Sequence, residues 1–253
     1  MPARILAVGL CRDEDTASAI EMSARAGRRA LDAAGILEVG ALINVGVFRD
    51  DNIVEPAVAA LIQQRIGIAL EYTSGAVPTF SFDLMNGACG LLDAVAVAGA
   101  LLDTGSVDTV LITAGDTHPS QAPHPDFPYA SAAGALLLGH GPTGFGSLHV
   151  AATTDDVAPT SYIDLGAAGA QARGTITVEA PPRTPFAAQA LAACAAAEGL
   201  DPATVPVLTG PDPHLHTAAL IFAYAERQQT DSAMLLLADG GATAACIAYR
   251  ERS

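Results

Sequence analysis

Residues 80–116 read FSFDLMNGACGLLDAVAVAGALLDTGSVDTVLITAGD, and the rest of the chain is arranged around them. The pattern predicts a buried strand from Pro78 to Leu84, a turn of small residues over Asn86-Gly87-Ala88-Cys89-Gly90, an apolar helix to Leu102 and a second buried strand from Val107 to Ala114. A thiol where a strand turns into a helix sits near unpaired first-turn N–H groups and the positive end of the helix dipole. Both lower a thiol pKa and can hold an oxyanion. Two readings of Cys89 stay open on position alone: an activated nucleophile, or one more small buried apolar side chain.

Composition sets the outer limits. The chain has 253 residues, enough for one large domain or two average ones. Hydrophobic residues make up 51% against 15% charged, with no Trp, so Ala, Val, Leu and Gly must fill closely packed helix–sheet layers. All twelve basic residues are arginine, and the net charge is -15, which argues against binding nucleic acid or an anionic membrane. Cys11, Cys89, Cys194 and Cys246 form no CxxC pair, so neither a zinc site nor a disulfide framework is expected and a reducing cytoplasm fits. MPARILAVGL is followed by charged residues and reads as a first strand, not a signal peptide. No apolar run reaches membrane-spanning length.

In chain order, Ile5 to Leu10 reads as a strand, and Thr16 as the cap of a helix to Ala34 with Ile20, Ala24, Gly27 and Leu31 on its inner face. Gly35 ends that helix. Gly40 to Val47 is a largely apolar strand, and Glu55-Pro56 opens a helix to Ala69 with Pro at its first position. The loop Thr117 to Tyr129, with His118 and His124, is too polar and proline-rich for the interior and is expected to lie over the mouth of the site. Ala133 to Gly139 is another strand, and His140 and His149 flank a Gly/Pro loop.

The second part repeats the first in outline: helix Pro185 to Gly199, strand Val205 to Thr209, helix Pro213 to Gln228, and a closing strand pair Ala233 to Ala238 and Thr243 to Tyr249. LDAAGILEVGALINVG parallels ACAAAEGLDPATVPVLTG, and SVDTVLITAGD parallels TDSAMLLLADG. The second copy lacks a counterpart of the helix and strand between Pro56 and Leu84. Residues 1–144 and 145–253 are the expected halves, meeting so that the 86–90 bend faces the His214–Thr217 bend. Asp239-Gly240-Gly241 reads as a hairpin turn, Asp155-Asp156 as a solvated pair, and Cys194 and Cys246 as interior residues.

These segments resemble the thiolase superfamily, and within it the type III β-ketoacyl-acyl-carrier-protein synthases. The similar pieces are the helix following Pro56, Phe82-Asp83-Leu84 leading into the cysteine turn, Val110 to Thr113 with Gly115-Asp116, Tyr129 to Gly139, and Leu235 to Tyr249. The resemblance implies an α/β fold in αβαβα layers, built of two duplicated halves with the second truncated. It also implies acyl transfer or Claisen condensation on an acyl thioester of coenzyme A or a carrier protein, with no further cofactor and no metal.

Members of that family carry the nucleophile five residues after the Asp of Phe-Asp. Here that position is Ala88, and Cys89 is one place late. The chain is shorter than typical members, partly where they carry a catalytic His, and His214-Leu215-His216-Thr217-Ala218-Ala219 stands where they have an Asn motif. Two functions are therefore expected. One is an assisting subunit that pairs with a catalytic homologue. The other is a self-sufficient acyltransferase with Cys89 as nucleophile and His216 or His118 as base or oxyanion donor, and with Asn86, Gly87, Gly90, His214 and Thr217 around the substrate. Either implies a homodimer or heterodimer joined through the strand before the nucleophile.

Overall fold

The computed structural model describes residues 2–53, 55–70, 78–122, 125, 127–153, 161–164, 175–178, 186–210, 212–227 and 232–251. His124 and Asp155-Asp156 lie outside them.

Strand β1 (Ala3–Cys11) leads into helix α1 (Ala19–Ala34). Ser18, not Thr16, caps α1: its hydroxyl accepts from Glu21 N at 3.0 Å and donates to Asp50 Oδ2. Asp50 Oδ1 accepts from Ala19 N at 2.8 Å, so the helix start is tied to the loop beyond β2 (Ala41–Asn44). Helix α2 begins at Val58 and ends at Ile66, leaving Pro56 two residues outside it. The Val58 and Ala59 N–H groups instead donate to Asp83 at 2.9 and 2.8 Å. That carboxylate holds the free first turn of α2 against the end of β3 (Phe80–Asp83).

Helix α3 (Gly90–Asp103), β4 (Thr109–Asp116) and β5 (Ala132–His140) complete the first sheet, in the order β1-β5-β4-β2-β3. The second sheet has the order β6-β11-β10-β9, from β6 (Phe145–Ala152), β9 (Val207–Leu208), β10 (Ala233–Asp239) and β11 (Thr243–Arg250). Helix α4 (Phe186–Glu198) precedes β9, and α5 (Ala219–Glu226) precedes β10. Strands β7 (Ser161–Asp164) and β8 (Thr175–Val178) pair antiparallel as a separate two-stranded sheet.

The two main sheets match strand for strand. In each, the first strand pairs antiparallel with the last, the last antiparallel with its predecessor, and that one parallel with the strand after the first helix. Among the described residues α2 and β3 have no counterpart in the second half, as the duplicated sequence predicts, and the β7–β8 pair has none in the first. Sequence reading misplaced β6, because His149 lies inside this strand opposite Cys246 rather than beside a loop.

Period-two alternation sorts the strand residues into layers. Val110, Ile112 and Ala114 of β4, with Ala245, Ile247 and Tyr249 of β11, face a central core that also holds α3 and α5. Leu111, Ala135 and Leu137 face α1 and α2 on one outer side, whereas Ala244, Cys246 and Ala248 face α4 on the other. The order is helices, sheet, helices, sheet, helix. Alanine and glycine permit close layers: a Cβ on Gly9 of β1 would stand 1.9 Å from the Ala26 carbonyl oxygen of α1.

Gly9→Ala is therefore expected to lower stability by at least about 2 kcal/mol in urea unfolding, because backbone must move to admit the methyl. Gly99→Ala, within α3 and with only the Ala3 methyl as near as 4.0 Å, is expected to raise it by about 0.5–1 kcal/mol.

Candidate active site

The strand ends carry the site. The buried carboxylate of Asp116, the last residue of β4, accepts from five donors. Oδ1 takes Val47 N at 2.7 Å and Phe48 N at 3.0 Å. Oδ2 takes His216 Nδ1 at 2.8 Å, Thr217 Oγ1 at 2.5 Å and Thr217 N at 3.4 Å. Desolvation raises the pKa of Asp116, but His216 charge and the bonds from His216, Thr217 and Phe48 outweigh it, and the net direction is downward. An ionised carboxylate has no proton to offer, so Nδ1 of His216 is the donor and Nε2 is left as an acceptor in the neutral ring.

His216 interrupts the single helix expected from Pro213 to Gln228. Residues 213–218 form a 3-10 turn in which His216 has φ 41° and ψ -112°, and α5 starts only at Ala219. A non-glycine residue holds such a backbone only when its surroundings over-determine it. Here they do: the ring is bound to Asp116 and stacked on Tyr129 at 4.2 Å and 12°, with Phe48 behind it at 6.1 Å. Tyr129 ends the 117–129 loop and lines the cavity, so that end of the loop does lie over the site.

The turn before α3 is the counterpart. Residues 87–89 form a 3-10 turn with Gly87 at φ 50°. Gly87 and His216 each stand three residues before their helix. A Cβ on Gly87 would be 3.8 Å from His216 Nε2, so the 86–90 and 214–217 bends face each other across one crevice. The crevice opens into a cavity of about 430 Å³ walled by Ala88, Ala219, Leu220 and Leu237, with Thr209, His216 and Asp239 as its polar points. Its size is that of small-molecule sites.

Cys89 does not line this cavity. It is 1% exposed, and its Sγ faces the β10–β11 hairpin, 3.4 Å from the Thr243 carbonyl oxygen. Burial first, and then the charge of Asp93, pushes its pKa up to about 11, the reverse of activation. Ala88 takes the cavity wall instead. Asn86 donates to Asp93 at 2.7 Å, and Gly90 packs against Val45 and Leu84. His214 is bonded to the Pro128 carbonyl, and His118 to Ser120 at 2.7 Å beside the Phe127 ring. Of the residues singled out from sequence, His216, Thr217, Gly87 and Ala88 come together. Asp116, Tyr129 and Phe48 were not among the candidate site residues. The available signal for Asp116 was a carboxylate closing an otherwise apolar buried strand. Among the described residues no cluster of three or more His, Cys, Asp or Glu side chains is arranged to hold a metal.

No protein-family model matches the chain. A stretch of 107 residues is 29% identical to the acyl-CoA:acyl-CoA alkyltransferase of Xanthomonas campestris pv. campestris, covering 42% of this chain and 29% of that enzyme. The match therefore spans less than a third of the curated relative. The 3-oxoacyl-(acyl carrier protein) synthase III of Pseudomonas aeruginosa PAO1 superposes with a TM-score of 0.75 at 15% identity, over 100% of this chain and 99% of its own. A cysteine-to-serine variant of Xanthomonas campestris OleA with bound lauric acid and lauroyl-CoA superposes with a TM-score of 0.68 at 14% identity, over 99% of both chains. The fold is the thiolase fold.

Two outcomes follow. Native protein treated with iodoacetamide near neutral pH should keep Cys89 unmodified, and urea-unfolded protein should take up label at all four cysteines, read by peptide mass. Asp116→Asn should cost about 3 kcal/mol at neutral pH. Because the folded pKa of Asp116 lies below the unfolded value of about 3.9, its contribution is whole above that value and is lost as pH falls through the folded pKa. Urea midpoints of wild type and variant should therefore converge on the acid side.

Proposed function

We propose that this chain is an assisting component of an acyl-transfer condensing system of the ketoacyl synthase III and OleA kind. It binds an acyl thioester and pairs with a homologue that supplies the cysteine nucleophile. One observation carries the reading: the cavity wall at the start of α3 bears the methyl of Ala88, while the neighbouring thiol is buried under a hairpin with a raised pKa.

The cavity supports the substrate class. Its apolar wall suits an acyl chain, and its polar points are few, as in sites that orient one reactive group. A net charge of -15 disfavours docking an acidic carrier protein and leaves coenzyme A or the partner as the source of the acyl group. Four free cysteines suit a reducing cytoplasm, and among the described residues no helix is long and apolar enough to cross a membrane.

The edge of the first sheet supports pairing. Strand β3 is its terminal strand, and Phe80 is 64% and Met85 47% exposed beside it. An apolar edge strand of this kind is stable in water when a second strand covers it, and a thiolase-fold homologue would present one.

The test is intact-mass spectrometry after incubation with dodecanoyl-coenzyme A, alone and with a cysteine-bearing thiolase-fold homologue that co-purifies with the chain. This chain should bind the ester and co-elute with the homologue, with an acyl adduct on the homologue alone. Phe80→Glu should release the homologue without unfolding the chain. An adduct on this chain that disappears in Cys89→Ala contradicts the reading.

A further inference from the structure

We propose that this chain hydrolyses acyl thioesters itself, with His216 as general base and water as the nucleophile. The proposal rests on the acyl-thioester reading above and goes beyond it: a chain without a cysteine in its cavity still carries the base.

A histidine needed only for structure would use both ring nitrogens or bury them. His216 uses one. Nδ1 is fixed by the fully buried carboxylate of Asp116 at 2.8 Å, and Tyr129 holds the ring plane. Nε2 is the atom that faces Gly87 across the crevice, and His216 lines the cavity. A carboxylate that fixes the tautomer of an imidazole whose other nitrogen faces a substrate space is the arrangement that makes histidine an effective base toward an O–H group. Opposite it, Gly87 and Ala88 offer no nucleophilic side chain, which assigns the nucleophile in this proposal to water.

The step balances without any further reagent. His216 Nε2 takes a proton from water as the water oxygen bonds to the thioester carbonyl carbon. The C–S bond then breaks with its electron pair on sulfur, and the proton held on Nε2 passes to that thiolate. The products are one carboxylic acid and one thiol. Among the described residues the Gly87 and Ala88 N–H groups have no backbone acceptor. They lie at the positive end of α3, where the carbonyl oxygen gains charge.

The experiment incubates the full-length chain with hexanoyl- and dodecanoyl-coenzyme A in water enriched in oxygen-18, following free thiol, labelled acid and protein mass. Binding is measured separately by calorimetry. Expected are equal amounts of thiol and singly labelled acid with no acyl-protein adduct. Cys89→Ala should be unchanged. His216→Gln should stay folded, with a lowered urea midpoint, and retain binding by calorimetry, but lose at least about 100-fold in kcat under conditions where it is fully folded. Binding without thiol release above the rate in buffer overturns hydrolysis and leaves the acyl-thioester reading standing, whereas absence of both binding and release overturns the two together. Release undiminished in a folded His216→Gln variant, or acid whose oxygen-18 arrives through an acyl-protein adduct, also overturns the proposal.

Discussion

A carboxylate with no access to water joins the two halves of this protein. Asp116 closes β4, and its five donors come from the segment after β2 and from the turn before α5, a hundred residues away. Removing an ionised carboxylate from water is costly unless its lone pairs are satisfied, and here they are. The same bonds hold His216 in a backbone conformation that a free chain avoids, so a local strain is offset by contacts that exist only when both sheets are in place. Fold and site thus depend on one interaction.

Duplication explains why the site lies where it does. Each half sends a turn, opened by a left-handed residue, toward the other half's strand ends. The turn bearing His216 docks on the end of β4, and the turn bearing Cys89 docks on the hairpin after β10. The halves have diverged at equivalent positions, with a histidine at one elbow and a glycine at the other. That difference leaves an imidazole without a side-chain nucleophile beside it, at the wall of the cavity. The proposed chemistry rests on this asymmetry, since two glycines would leave no candidate base.

Much of the fold was legible because it rests on period and composition. Alternating apolar strands, Gly35 closing α1 and the repeated strand-end phrases fixed the layers and the missing pair α2 and β3. Detail failed where tertiary bonds override local signals. Ser18 displaced Thr16 as the cap because Asp50 reaches it from another segment. Pro56 fell outside α2 because Asp83 supplies the acceptor that sets the first turn. The apolar run from Leu215 to Tyr224 reads as one helix, and the hold of Asp116 and Tyr129 on the His216 ring interrupts it. Cys89 was the conspicuous residue, but one step along a turn rotates a side chain by about 100° and sends the thiol into the hairpin, leaving Ala88 at the cavity.

The central claim is that Asp116 fixes His216 with Nδ1 protonated and Nε2 open toward Gly87. Nitrogen-15 NMR of the imidazole side chains, at a pH where the rings are neutral, tests it directly. The account predicts that His216 is locked in the tautomer protonated at Nδ1, with an Nδ1 proton protected from exchange. A ring protonated at Nε2, or one averaging between tautomers with a freely exchanging proton, would contradict it.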